Sequence, residues 1–331
     1  MIDAADLTFL IVIEANRLEP QALLLCESIR TFAGRYANCP IVAVSPRSEL
    51  GIGDRTRRRL SELAVRYVAE PLNRTGSPYG SINRIVAGAW AERCLPAEFL
   101  VVLDTDMLVL SEPCFEVADA GVRPVDAKGS ASSGADDPQD AYWRAICGLA
   151  DVSPDDLPYV TTTIDRVKIR ASYNGGFAVV RRACGILGKT EAVFFASSEA
   201  GLRPLEGRNL NIRASTGFVG AEASEWWGSS QAALSAAIWA STTDVRVYDD
   251  RYNIPLHLLK TRTHDWPLQA GAHPVLVHYH HLCEEAHRPE LADALRDVNC
   301  SSGVLDWIQP RLAIFDEAGW PAVPTLPETG A

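Results

Sequence analysis

"FLVVLDTDMLVLSEP", residues 99–113, sets five apolar residues ahead of Asp104 and Asp106 and four more behind them. The apolar run is the signature of a strand covered on both faces. Two carboxylates beside such a strand need a partner, because an unpaired ionised group in a low-dielectric core is expensive. At positions i and i+2 of an extended chain both side chains face one side, so their oxygens can converge on a hard cation such as Mg2+ or Mn2+. The alternative is a pair of loop aspartates that cap the next turn and meet an arginine.

Working outward, the first half of the chain alternates strand-like and helix-like patterns. Residues 7–13 form another apolar run, and Glu19 and Pro20 then open a helix with Ala22, Leu25, Ile29 and Phe32 on one stripe. Residues 41–44 form a second strand. Asp54 is placed to cap a helix bearing Leu60, Leu63, Ala64 and Tyr67, with a short strand over 66–69. Ser81 is placed to cap a third helix, which leads into the strand at 99–103. This alternation predicts an α/β fold: a single domain with a mostly parallel central sheet and helices on both faces. Such sheets bind ligands beyond the carboxyl ends of their strands, where Asp104 and Asp106 stand.

The second half is less regular. Residues 126–140, rich in Gly, Ser, Ala and Asp, read as a mobile loop, and 177–181 as a strand entered through Asn174-Gly175-Gly176. Residues 201–225 lack periodicity and are long for a connection, which suggests a functional lid or a disordered excursion. A helix follows over 229–240. A late strand over 274–280 ends in "HYHH", and the tail from Gly319 reads as extended. The chain divides into 1–115, carrying the aspartate pair, 116–285, and a C-terminal extension over 286–331.

With 331 residues, 47% hydrophobic and 22% charged, the composition is that of an ordinary globular protein able to bury a full core. A net charge of −11 argues against nucleic acid as a partner. The one basic run, residues 55–59, fits a solvated helix face. No apolar stretch approaches the ~20 residues of a membrane span, and no signal-peptide pattern opens the chain. Eight scattered cysteines read as reduced thiols, which points to a cytoplasmic protein. After the first strand comes "EANRLEP", without the glycines of a dinucleotide fingerprint; "GIGD", residues 51–54, is a lone GxG, and GxxxxGK[ST] is absent.

Taken in order, the strand, "LDTDMLVL", "YNGGFAVV" and the late strand ending in histidine resemble the metal-dependent, Asp-X-Asp nucleotide-sugar glycosyltransferases of the GT-A fold. The resemblance is to the glycogenin/galactosyltransferase-like (family 8-type) group and spans roughly residues 7–281. It implies transfer of a sugar from a nucleoside-diphosphate sugar, a UDP-sugar first, to a hydroxyl acceptor (a glycan, lipid or small molecule). A divalent metal, Mn2+ or Mg2+, would stabilise the diphosphate leaving group. Within the Asp104-Thr105-Asp106 segment, Asp104 would lie near the ribose and the metal, and Asp106 would ligate the metal. His278 would be a third ligand, with His280 at i+2 able to take its place. Ile13, Glu14 and Ala15, at the end of the first strand, would face the base. Asn83 and Arg84 would lie near the donor. Asn174 would meet sugar hydroxyls, and Gly175 and Gly176 would let the backbone approach the sugar closely.

One departure concerns "EWWGSSQAALSAAIW". The family commonly has Asp-Gln-Asp before this helix, and here Ser230-Gln231-Ala232 stands in its place. Glu225 is then the candidate base for an inverting reaction, and in a retaining one Gln231 would lie by the reaction centre. Trp226 and Trp227 offer flat faces for a sugar. The competing readings are a metal-dependent nucleotidyltransferase or sugar-phosphate hydrolase using the same ligands, and a non-catalytic nucleotide- or carbohydrate-binding relative.

Overall fold

The computed structural model describes residues 1–262, 264–266 and 272–317. The first half runs β1 (Leu7–Val12), α1 (Leu18–Phe32), β2 (Ile41–Ser45), α2 (Asp54–Glu62), β3 (Val65–Ala69), α3 (Ile82–Cys94), β4 (Phe99–Leu103) and β5 (Met107–Val109). Then follow β6 (Ala120–Pro124), α4 (Asp140–Leu149), β7 (Tyr159–Thr161), β8 (Lys168–Arg170), β9 (Tyr173–Arg181) and α5 (Ile186–Glu199). The remainder comprises β10 (Arg213–Ala214), β11 (Gly217–Phe218), α6 (Ala221–Glu225), α7 (Ser229–Ser241), β12 (Val245–Val247), β13 (Ile254–Pro255), β14 (Leu276–His278), α8 (Arg288–Asp297) and α9 (Ser302–Arg311).

The central sheet has seven strands in the order β12-β6-β9-β4-β1-β2-β3. Pairings are parallel except those of β9, which runs against both β4 and β6. The expected apolar runs are strands buried on both faces. In β1, Phe9 and Ile11 enter the core beneath α1 and α2, while Leu10 enters the opposite core beneath α3, α5 and α7. In β4, Phe99, Val101 and Leu103 alternate with Leu100 and Val102 between the same two cores. A smaller sheet, β13-β14-β5, carries the third core together with α8 and α9.

Several local expectations are corrected. The helix opened by Asp54 has Gly53 at its cap and ends at Glu62, because Ala64 turns with φ 53° and Tyr67 already belongs to β3. Ser81 stands at the cap of α3 without a side-chain cap bond. Asp54 and Ser81 were expected to cap because their side chains suit that role, yet capping needs an extended cap residue, and Ser81 is already helical.

Residues 126–140 are held by turns: Ser133 and Gln139 donate backbone N–H groups to Asp137, and Lys128 pairs with Asp137 at 2.9 Å. The segment over 201–225 contains the β10–β11 hairpin and α6. The four arginines between residues 55 and 59 are exposed, as expected of a solvated face. All eight cysteines are unpaired. Among the described residues no helix is long and apolar enough to cross a membrane. The tail from Gly319 lies outside the described residues.

Candidate active site

β4 ends at Leu103, and the chain turns sharply through Asp104-Thr105-Asp106, with the Met107 N–H reaching the Asp104 carbonyl at 3.3 Å. It then enters β5 of the smaller sheet. The two aspartates therefore sit on a turn between sheets and not in extended chain. Two strand relations assemble the site around that turn. β14 pairs antiparallel with β5 so that His278 stands opposite Met107, and the Tyr279 N–H donates to the Asp106 carbonyl at 3.0 Å. Because β9 runs against β4, its beginning lies at the carboxyl end of β4, and the Asp104 N–H donates to the Gly176 carbonyl at 2.9 Å. The strand begins at Tyr173, so Asn174-Gly175-Gly176 forms its first turn of pleat.

His278 Nε2 lies 2.9 Å from Asp106 Oδ2, and both residues are buried. Burial alone would raise the Asp106 carboxyl, but the His278 charge and hydrogen bond hold it well below the usual carboxylate range. Burial alone would lower His278, yet the Asp106 carboxylate lifts it to about 9. Arg84 Nη1 donates to both oxygens of Asp104, at 2.5 and 2.7 Å. Both readings of the aspartate pair thus find support: Asp104 meets an arginine, and Asp106 turns to a histidine.

Asp104, Asp106 and His278 each offer one ligand atom, and these atoms all lie within 4.8 Å of one another. Two carboxylates and an imidazole are a donor set suited to Mn2+ or Mg2+. A buried anionic carboxylate whose nearest cationic partner is an imidazole that can give up its proton fits a divalent cation. His278 Nδ1 is buried without a hydrogen-bond partner, and the ring lies beside those of His257 and His280. His280 is not in this group. Its φ of 57° breaks the strand alternation, and its ring stacks on His257 at 4.3 Å between centroids.

The trio borders a cleft of about 1160 Å³. Glu14, Ala15, Asn83, Arg84, Thr105, Asn174, Gly176, Gln231 and His280 border it too. Glu14 is gripped by Arg47 at 2.6 and 2.9 Å and accepts from Asn83 Nδ2 at 3.0 Å. The Asn174 amide accepts from the Gly176 N–H at 2.8 Å and donates to Asp126 at 3.0 Å. A Cβ on Gly176 would stand 2.7 Å from Asp104 Oδ2, and one on Gly175 2.4 Å from Arg84 Nη2, so side chains there would displace the site's own charges. Gly175 and Ile13 stay off the cleft wall; Ile13 is packed in the core. Glu225 is also off the wall, tied to Arg203 at 2.6 Å and to the Gly207 N–H. The tryptophans divide: Trp227 borders the cleft, and Trp226 packs in the core against Phe194.

Among the cleft residues that escaped the sequence reading are Asp126, His257 and Arg213. Asp126 is half-buried; burial raises its carboxyl against the hydrogen bonds from Thr163 and Asn174. Its signal was a carboxylate two residues past β6, hidden because Arg123 and Pro124 interrupt the apolar run. His257 and Arg213 come from segments without periodicity, and only the fold brings them in.

The Asp106–His278 pair makes the metal-free protein pH-sensitive with a definite sign. The raised histidine contributes stability that is complete below its unfolded value of 6.5 and is lost as pH rises through about 9. The depressed aspartate contributes above its unfolded value of 3.8 and loses that as pH falls. The melting temperature of metal-stripped protein is therefore expected to decline between pH 6.5 and 9, and less so in His278→Gln. Identical profiles for the two proteins would refute the pairing.

A family model described as the Rhodobacterales glycosyltransferase domain matches residues 9–196, more than half of the chain. No curated protein matches. The apo structure of WbbM, a bifunctional glycosyltransferase, is similar with a TM-score of 0.54 at 12% identity, over 91% of this chain and 51% of WbbM. This chain thus spans about half the length of WbbM, and the likeness extends to the fold. Two structures of LgtC also match, each at 14% identity. One, an active-site mutant, has a TM-score of 0.47 over 82% of this chain and 86% of LgtC. The other, a galactosyltransferase complex with donor and acceptor sugar analogs, has 0.48 over 97% and 98%.

Proposed function

The chain belongs to the Rhodobacterales glycosyltransferase domain family, and we propose that it moves a sugar from a nucleoside-diphosphate sugar, a UDP-sugar first, to a hydroxyl acceptor with the help of Mn2+ or Mg2+. It is a glycosyltransferase of the GT-A fold; the donor, the metal and the residues that serve them are the proposal. The observation that carries it is the convergence of two carboxylates and one imidazole within 4.8 Å on the wall of a large cleft.

Asp104, Asp106 and His278 would hold the metal, and Arg84 would orient the Asp104 carboxylate. When bound, such a metal offsets negative charge on the departing diphosphate. Glu14, fixed by Arg47 and Asn83, would present a polar edge to the base. Asn174, Asp126 and Gln231 would orient sugar hydroxyls near the reacting carbon. Glu225 has its charge matched by Arg203 away from the cleft, which weakens its case as a base. Residues 1–115 would form the donor-binding half, 116–285 the acceptor half, and 286–331 an extension. The acceptor would be a glycan, lipid or small molecule. Eight unpaired cysteines support action in the cytoplasm.

Calorimetry with UDP, GDP, CDP and TDP, with and without Mn2+, tests the reading. The expected outcome is nucleoside-diphosphate binding that depends on the metal, with slow release of sugar from the matching donor. Binding unaffected by metal would overturn the metal's role, and turnover of nucleoside triphosphates or of sugar phosphates would favour the nucleotidyltransferase or hydrolase reading.

A further inference from the structure

Among the described residues, five arginine and lysine side chains border the cleft: Arg17, Arg47, Arg84, Lys128 and Arg213. Three have a carboxylate of their own: Arg47 pairs with Glu14, Arg84 with Asp104 and Lys128 with Asp137. Arg17 and Arg213 instead share one. Arg17 Nη2 lies 2.8 Å from Glu284 Oε1, and Arg213 Nη2 lies 2.7 Å from Glu284 Oε2. Two guanidinium charges against one carboxylate leave a net positive charge at the cleft edge. Arg213 Nε is also buried without a hydrogen-bond partner, so the guanidinium has unused donor capacity beside its Glu284 contact.

The two arginines come from segments far apart in the chain and meet at one carboxylate. Arg17 stands just before α1, beyond the end of β1. Arg213 opens the β10–β11 hairpin, which borders the cleft through Ser215 and Thr216 at its tip. Glu284 follows the site histidines by one turn, its N–H donating to the His281 carbonyl at 3.0 Å. That contact sets the shared carboxylate close to the segment that carries His278.

We propose that Arg17 and Arg213 form a guanidinium clamp for the diphosphate of the donor, with the β10–β11 hairpin as its movable jaw and Glu284 holding both arms until the anion arrives. The proposal rests on the nucleoside-diphosphate reading above and adds to it the residues that grip the phosphates. A fork of N–H donors matches phosphate oxygens, and a nonbridging oxygen can satisfy the Nε that Glu284 leaves unpaired once the hairpin shifts. No bond is made or broken by the clamp; it binds and positions.

The test uses the full chain with UDP and Mn2+, and uridine as the phosphate-free control. For Arg213→Ala, UDP affinity is expected to fall roughly 10- to 100-fold, the range of one or two charged hydrogen bonds. Uridine binding should be unchanged, and Arg213→Lys should recover part of the loss. Arg17→Ala should fall in the same way. UDP should also protect the hairpin from proteolysis in the wild type and not in Arg213→Ala. UDP bound equally by wild type and Arg213→Ala overturns the clamp while leaving the donor reading intact. Equal losses for UDP and uridine also overturn it, because they indicate a structural role for the hairpin. If the wild type binds neither UDP nor GDP, the donor reading fails and the clamp with it.

Discussion

Asp106→Asn is expected to lower the rate of sugar transfer by at least about a thousandfold, or roughly 4 kcal/mol of transition-state stabilisation at 1.36 kcal/mol per decade. The substitution keeps the shape of the side chain and removes its charge. It takes one of the three convergent ligand groups away and leaves His278 facing an amide in place of a carboxylate 2.9 Å distant. The imidazole then has burial acting on it without the compensating anion, so its pKa should fall, which NMR of the ring protons can follow. The Asp106 backbone carbonyl still accepts from Tyr279, so the junction between β5 and β14 should survive. Initial rates across a Mn2+ titration, with circular dichroism as the check on folding, decide the matter. Wild-type metal stimulation in the mutant would remove Asp106 from the metal site.

Phe177→Ala is expected to cost about 3–5 kcal/mol of stability, the range for deleting a buried aromatic ring. Phe177 has 0% exposure and stands opposite Leu103, the last residue of β4 before the aspartates. Its ring packs against Tyr248 at 5.4 Å and Tyr252 at 5.8 Å between centroids, so its loss leaves a gap in the core beneath the site. Phe177→Leu fills more of that gap and should cost less than half as much. Chemical denaturation midpoints give the comparison. A cost below about 1 kcal/mol for the alanine variant would show that the tyrosines close over the space.

The same two residues show where the sequence was readable. Phe177 follows Gly176, and its apolar run marks a strand without any tertiary information. The run could not reveal direction. Strand patterns carry a period of two and no polarity, so a buried parallel strand and a buried antiparallel one look alike. The helix ahead of Tyr67 was overextended for a related reason: Leu63 and Ala64 continue an apolar stripe, while the turn that ends the helix depends on a left-handed φ that no local residue demanded. Glu225 illustrates a further limit. Its proximity in sequence to Gln231 suggested a shared role, yet it pairs with Arg203 and lies off the cleft. Asp126 was passed over because the loop around it is polar, whereas its burial comes from strands and residues distant in the chain.

By itself, then, the amino-acid sequence determined the buried strands, the helices between them, and the position of Asp104 and Asp106 at a strand's carboxyl end, because each follows from local periodicity and the cost of burying charge. The fold alone decided that β9 runs backwards, which brings Asn174 and Gly176 beside Asp104. It alone set β14 against β5 so that His278, and not His280, meets Asp106. Register and strand direction come from contacts between segments more than seventy residues apart, and no local pattern encodes them.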